Sequence, residues 1–508
     1  MDYPVFLGLI GGALFVYRLL LTVYRLVFHP LAEFPGPKLA AATRLYEAYY
    51  DVLQGGKYIF QIGELHKQYG PIVRISPHEL HVNDPSYHAT LYSHIGRWDK
   101  YYFTFKPFQR PGAGAFTIGH DDHQKRRAAL APFFSKEKVS EREPFLSEQV
   151  ELLVSRVERN VASGEVLDIG IAYAAFSMDI ATGYAQGNTM GNLDRTDFNK
   201  DLANFFTDFG PLWVLGKHIP LLPWLFRRAP KWMLSYLGDR LAAYKAFSQR
   251  NLAQVRLVMS ESKQAATDTK GHVSIIHELL KADGLPRTSS KEQDLFDESD
   301  IVLSGGTEAS RTLRVLTYHL CANPKIMTRL REELDKAAPV GSKTPPSLHE
   351  LRKLPFLTAV ITEGTRLSYG AVTRLQRIAP DRTTRYGNWT IPAGTPVGMS
   401  NGLIFHDEEY FPDSHSFIPE RWLDPKEKAK LDAVFAPFGR GPRMCLGVNL
   451  AWAELYLSVS ALFSKFDMEL YKTTIEDVQF GSDAFVAQTK SPNGVRVTVK
   501  HRRDASKF

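Results

Sequence analysis

FGRGPRMCLG, Phe438 to Gly447, contains Cys445, one of only two cysteines in a chain of 508 residues. The loop is written in glycines, two arginines and a proline, and an apolar run with helical texture, LGVNLAWAELYLSVSALF, follows directly. Gly439, Gly441 and Gly447 let backbone approach a neighbouring group closely. Arg440 and Arg443 are cations that need an anionic partner. A cysteine at a helix N-terminus beside arginines is expected to have a depressed pKa and to ionise readily. A thiolate in this setting is either a nucleophile or a metal ligand.

A nucleophile needs a general base close by, and no histidine lies within the loop. Tetrahedral zinc needs further cysteines or histidines at ligand spacing, and only Cys321 remains. A single thiolate is enough where a macrocycle supplies the other ligands, as haem does. Arginines then suit the propionates, and glycines admit the flat porphyrin.

The pattern F-x-x-G-x-R-x-C-x-G, here Phe438, Gly441, Arg443, Cys445 and Gly447, resembles the haem-thiolate loop of the cytochrome P-450 family. Glu363-Gly364-Thr365-Arg366 matches the family's E-x-x-R pair, and Pro419-Glu420-Arg421-Trp422 its P-E-R-F/W element. The resemblance runs along essentially the whole chain. It implies a mainly α fold with small β-sheets, and haem b with Cys445 as the axial iron ligand. Glu363, Arg366 and Arg421 are expected to form a buried ion network under the cysteine loop. For the propionates it points to His123 or Arg127 in HDDHQKRRAALAPFF, to Arg377 in QRIAP, and to Arg443.

One family element departs from pattern. The central oxygen-activating helix normally carries A/G-G-x-D/E-T, and this chain has Gly305-Gly306-Thr307-Glu308-Ala309-Ser310. Two adjacent glycines inside a helix cost roughly 1 kcal/mol each, so a local groove is the expected compensation. Glu308 is the expected proton-feeding acid. Alanine stands where the family has threonine. Thr307 and Ser310 are the neighbouring hydroxyls, with Ser310, a substrate hydroxyl or water as the expected substitute.

Composition agrees with a large folded body. Hydrophobic residues make up 44% and aromatics 12%, enough for an extensive core. Two cysteines cannot build a disulfide framework, which suits a reducing compartment. A net charge of +7 fits an anionic membrane or an acidic protein partner. No RNP motif, zinc finger or arginine-rich tail supports nucleic acid. YPVFLGLIGGALFVYRLLLTVYRLVF, Tyr3 to Phe28, is long enough to span a bilayer as a helix. No small-residue cleavage site follows, so residues 1–28 are expected to be a retained anchor. Arg25, His29 and Lys38 on its C-terminal side place the body in the cytosol. Pro30, Pro35 and Pro37 make residues 29–40 a stiff elbow, and residues 41–508 form one haem-thiolate domain. PIVRISPHELHVN reads as a hairpin, residues 120–285 as mostly helix, 298–324 as one core helix, and the stretch beyond Gly370 as short strands and turns.

The resemblance implies a single-pass endoplasmic-reticulum monooxygenase that uses dioxygen and NADPH-derived electrons. Gly112-Ala113-Gly114 lacks the third glycine and strand context of a dinucleotide site, so NADPH is expected to be read by a separate reductase. Arg440 and its neighbours would dock that partner's acidic face, with cytochrome b5 as an optional second donor. Within the family the chain most resembles fungal microsomal enzymes of secondary metabolism, of the trichodiene-oxygenase type. That suggests a hydrophobic, sesquiterpene-like terpenoid substrate, with polyketide or indole-alkaloid intermediates as alternatives. A haem-thiolate isomerase or dehydratase that needs no reductase is a further alternative raised by Ala309. Expected pocket walls are YYFTFKPF near Tyr101, FFTDFGPLW near Phe205, Ile301 to Ala309, GAVT near Ala371 and DAFV near Phe485.

Overall fold

Long amphipathic and wholly apolar helical segments supply most of the core. In the computed structural model, residues 3–230, 233, 238–264, 274–282, 284–338 and 345–502 are described. Helices Glu143–Ser163, Ile169–Gln186, Glu308–Ala322, Pro355–Ser368 and Val448–Lys465 pack around one large apolar cluster. Ile169–Gln186 is buried around almost its full circumference, as its sequence IGIAYAAFSMDIATGYAQ requires. Its ends are set locally: Asp168 accepts from the Ile171 N–H at the start, and Gly187 turns left-handed at the end.

The sheets are small. Ile72–Ser76 and Glu79–Val82 form the expected hairpin, with Ile72 opposite Val82. They extend through Val397–Gly398 and Arg377–Ile378 to Asp99–Lys100 in a five-stranded sheet. Leu167–Asp168, Arg496–His501 and Phe466–Leu470 make a second sheet. Phe480–Ala484 pairs with Val486–Thr489, and Thr384–Tyr386 with Trp389–Ile391.

Three expectations change. The core segment expected as one helix is two, Lys291–Gly305 and Glu308–Ala322, interrupted at Gly306-Thr307. A Cβ on Gly306 would lie 2.3 Å from the Ala181 Cβ, so the glycine permits a close helix crossing at the break. Next, the proline elbow packs against the body. Leu31 and Phe34 are buried in the cluster that holds Ile72 and Leu80, and Phe34 stacks on Trp389 with centroids 4.9 Å apart. Finally, the helix after the cysteine loop begins at Val448, three residues beyond Cys445.

Helix Tyr3–Val23 continues as a π-turn over Tyr24–Phe28. Phe6–Phe28, with mean hydropathy 2.0 and none of its most apolar window buried, is the one helix among the described residues long and apolar enough to cross a membrane.

Candidate active site

A cavity of about 850 Å³ lies between the cysteine loop and the helix break. The loop is held by its own backbone: the Cys445 N–H donates to the Phe438 carbonyl at 2.8 Å, and Met444 N–H to Gly441 at 3.1 Å. Gly441 adopts φ +70°, and a Cβ there would come within 2.2 Å of the Tyr92 carbonyl oxygen, so no other residue fits this turn. Cys445, Phe438, Arg443 and Gly447 all line the cavity, whereas Gly441 is buried behind it. Gly447 would bring a Cβ into contact with nothing within 4 Å, which leaves this wall flat. Cys321 is packed against the helical core and does not line the cavity.

The expected depression of the Cys445 pKa is not found. Its sulfur faces the cavity but is surrounded by protein, and burial pushes the thiol above its ordinary value. The Gly447 N–H and the Arg127 charge pull it down, without overcoming burial. The helix dipole that was to supply the depression starts too late, at Val448. Iron ligation itself deprotonates a coordinating thiol, so the loop does not have to.

Cations gather on one side of the loop, none of them hydrogen-bonded to a carboxylate among the described residues, with Asp99 near enough to offset part of the Arg443 charge. The Arg443 guanidinium donates to the carbonyls of Thr117 at 2.5 Å, Ile118 at 2.8 Å and Gly119 at 3.1 Å. Arg127 donates to the Met444 carbonyl at 2.6 Å, Arg377 to Leu375 at 2.9 Å, and Lys100 to Ala115 at 2.5 Å. Burial and mutual repulsion hold Lys100 well below the usual lysine range and bring Arg443 to about 9. His123 is driven to about 2 by burial and the Arg443, Lys100 and Arg127 charges, and its Nδ1 has no partner. Lys100 was missed in the sequence. Its signal is the pairing of Asp99–Lys100 with Arg377–Ile378, which sets Lys100 directly opposite Arg377. Like charges opposed across a sheet are destabilising unless an anion joins them. The group of cations, the cysteine and the flat glycine wall together fit a haem with its two propionates.

Below the loop, Arg366 Nε and Nη2 donate to both oxygens of Glu363 at 2.9 and 2.8 Å, and Arg421 Nε adds a third bond at 3.1 Å. All three expected residues therefore meet.

The opposite wall is the helix break. Thr307, Glu308 and Ala309 line the cavity. Thr307 Oγ1 donates to the Ser304 carbonyl at 2.8 Å, and Glu308 pairs with Arg311 at 3.3 Å. Ser310 is a correction. It is buried on the far side of the helix, its hydroxyl donates to the Thr307 carbonyl at 2.6 Å, and it does not reach the cavity. Among the expected walls, Phe105, Phe108, Phe205, Phe209, Ala371 and Phe485 line the cavity, while Tyr101 turns away to accept from Arg44. Phe485 holds φ +77°, with its carbonyl accepting from Val372 and Thr373 N–H, and its ring packs on Phe108 at 4.9 Å.

Residues 49–495 match the family model described as cytochrome P450. The chain belongs to the cytochrome P450 family. It is 37% identical to the cytochrome P450 monooxygenase MO6277 of Ascocoryne sarcoides, over 97% of this chain and 98% of that one. It is 38% identical to the cytochrome P450 monooxygenase tpcC of Cochliobolus heterostrophus, over 98% of each. A third relative, the cytochrome P450 monooxygenase sdnE of Sordaria araneosa, is 35% identical over 95% of this chain and 96% of its own length. The chain is a P450 monooxygenase, and its family implies haem iron bound by a cysteine thiolate.

Proposed function

We propose that this monooxygenase oxidises a hydrophobic terpenoid secondary metabolite, and that the Cys445 thiolate would hold its haem b. The observation that carries this reading is the mostly apolar, phenylalanine-rich cavity, with Cys445 at one wall and the broken helix at the other. When bound, haem supplies the reductive activation of dioxygen, and the thiolate favours cleavage of the O–O bond.

The chain's residues do the rest. Arg127, Arg377, Arg443 and Lys100, with His123 behind them, hold the propionates and orient the macrocycle. Glu363, Arg366 and Arg421 brace the cysteine loop from below. At the helix break, Glu308 faces the cavity and relays protons into it through water. Its pairing with Arg311 at 3.3 Å is loose enough to be released. Thr307 takes the hydroxyl role expected of Ser310, since it is the hydroxyl at the break that lines the cavity. The phenylalanine walls exclude bulk water and let a hydrocarbon skeleton approach.

The N-terminal helix anchors the protein, single-pass, in the endoplasmic reticulum with the catalytic body in the cytosol. Electrons come from NADPH through a separate reductase docking on the cysteine-loop side near Arg440, with cytochrome b5 as a second donor. The test is turnover in membranes co-expressing the chain and a fungal reductase, with NADPH, labelled dioxygen and a terpenoid panel. Labelled oxygen in a terpenoid product is expected. Labelled product only from polyketide or indole-alkaloid panels would overturn the terpenoid assignment. Unlabelled product formed without reductase would overturn the oxygenase role.

A further inference from the structure

The cavity contains a second group of cations, far from the cysteine loop. Arg110, Arg227 and Lys245 all line it, and each comes from a different segment of chain. Arg110 follows the short helix Lys106–Phe108, Arg227 lies in the last turn of Leu221–Arg228, and Lys245 lies on Asp239–Gln264. Arg110 is buried and paired, with Asp300 at 2.9 Å and Asp297 at 3.8 Å. Its loop is pinned to the same helix, because Gly112 N–H donates to Asp297 at 3.1 Å and Gly114 N–H to Glu298 at 2.6 Å.

Among the described residues, Arg227 and Lys245 have no such partners. Arg227 donates to the Gln109 carbonyl at 2.8 Å, and Lys245 to the Arg227 carbonyl at 3.3 Å; neither bonds a carboxylate. Both are half-buried. Burial and then the Arg110 charge lower the pKa of each, and Arg227 lowers that of Lys245 as well. Three cations against Asp297 and Asp300 leave positive charge in excess, and a fourth, Arg126, lines the same cavity beside Glu298. Glu298, pushed up to about 7 by burial, adds less than a full negative charge near neutrality. Clustered like charges facing a low-dielectric cavity are unfavourable until an anion joins them. The propionate side of the same cavity has the same signature.

We propose that this end of the cavity binds a carboxylate, so that the substrate is an amphipathic carboxylic acid. Its head group sits on Arg227 and Lys245 with Arg110 behind them, and its apolar body lies among Phe108, Phe209 and Phe485 towards the helix break. The proposal rests on the oxygenase reading above and narrows its substrate class. It also places the enzyme after a reaction that oxidises or releases a terminal carbon as an acid.

The experiment is equilibrium dialysis of the full-length, haem-loaded protein in detergent. The probes are farnesoic acid, its methyl ester and farnesol, with lauric acid and methyl laurate as a second series. In whichever series binds, the acid is expected to bind at least tenfold more tightly than the ester at low salt. The preference should shrink as salt screens it. In the double variant Arg227→Gln, Lys245→Gln, acid affinity should fall about tenfold while ester affinity stays within twofold. Both side chains are half-exposed, and an unchanged ferrous carbonyl spectrum verifies folding. Equal binding of acid and ester in the wild-type protein, or equal weakening of both in the variant, overturns the proposal. So does an absence of acid binding in both series.

Trp224 and Leu225 are exposed on the same helix as Arg227, so flotation with phosphatidylserine and phosphatidylcholine vesicles completes the test. Loss of the preference for phosphatidylserine over phosphatidylcholine by the double variant, with acid binding intact, would assign the cations to lipid headgroups and overturn the proposal. Labelled-oxygen turnover is scored separately. Acid preference without labelled product would sink the oxygenase reading alone, and labelled product without acid preference would sink only the acid site.

Discussion

Glu363 is wholly buried, and burial alone would raise its pKa. The Arg366 hydrogen bonds and charge, with Arg421 and the Ile418 N–H, overcome that and hold it below its ordinary value of 4.5. Trp422 Nε1 completes the set at 2.9 Å. Arg366 is equally committed, donating to the carbonyls of Phe405 and Ser414 at 2.9 and 2.7 Å. Glu363→Gln removes the charge and leaves a buried guanidinium without its counter-ion, at a cost of about 3–5 kcal/mol. Because the folded pKa is depressed, the stabilisation is fully present above the unfolded carboxylate's pKa. It is lost as pH falls from about 4.5 through the folded value. Denaturant unfolding at pH 7 should show the loss, and the difference between wild type and variant should narrow towards pH 3. A constant difference across that range would remove the ion network as its cause. The motif Glu363-x-x-Arg366 was legible in the sequence because both partners lie one helical turn apart. Lys100 was not, since what marks it is a cross-strand partner 277 positions away, Arg377.

At the scale of elements, the helix break decides the shape of the cavity. Gly306 faces Ala181 across a crossing so tight that a Cβ would stand 2.3 Å from its neighbour. Gly306→Ala must therefore push Lys291–Gly305 away from Ile169–Gln186 or strain both, an overpacking cost of about 1–3 kcal/mol. Haem content and thermal midpoint should both fall. Ala181→Gly in the same background should restore them, because it removes the other half of the clash. Failure of that second substitution would show that the defect lies elsewhere in the break. The adjacent glycines announced a groove in the sequence, but not that the helix would stop and restart around it. Between Leu303 and Leu313 Ala309 is the one apolar side chain, so periodicity fixes neither the stop nor the restart, and the crossing with Ile169–Gln186 reveals them. The same limit misplaced Ser310, whose direction depends on the restart at Glu308.

For the whole molecule, the boundary that matters lies between the body and the apolar N-terminal helix proposed above as its anchor. The apolar run reads naturally as ending at Phe28, and Arg25 as a topology signal on its flank. In the structure Arg25 already belongs to the body. Its side chain donates to the Ala42 carbonyl at 2.8 Å, and its own carbonyl accepts from the buried Arg74 at 2.9 Å. Arg74 also donates to Leu31 at 3.1 Å and to Pro77 at 2.9 Å, so its guanidinium clasps the chain where it leaves the anchor. Deleting residues 2–23 should therefore leave the stability of the body unchanged within about 0.5 kcal/mol. Deleting residues 2–28 removes two charge-assisted hydrogen bonds, Arg25 to Ala42 and the buried Arg74 to the Arg25 carbonyl, and should cost at least about 1.5–3 kcal/mol. Denaturant unfolding of the two truncations in the same detergent measures the difference. Equal stabilities would return the boundary to Phe28. Both truncations should still float with vesicles, since Ile219, Leu221, Trp224 and Leu225 remain exposed. Alkaline carbonate should release them and not the full chain, because a spanning helix resists extraction that an interfacial apolar face does not.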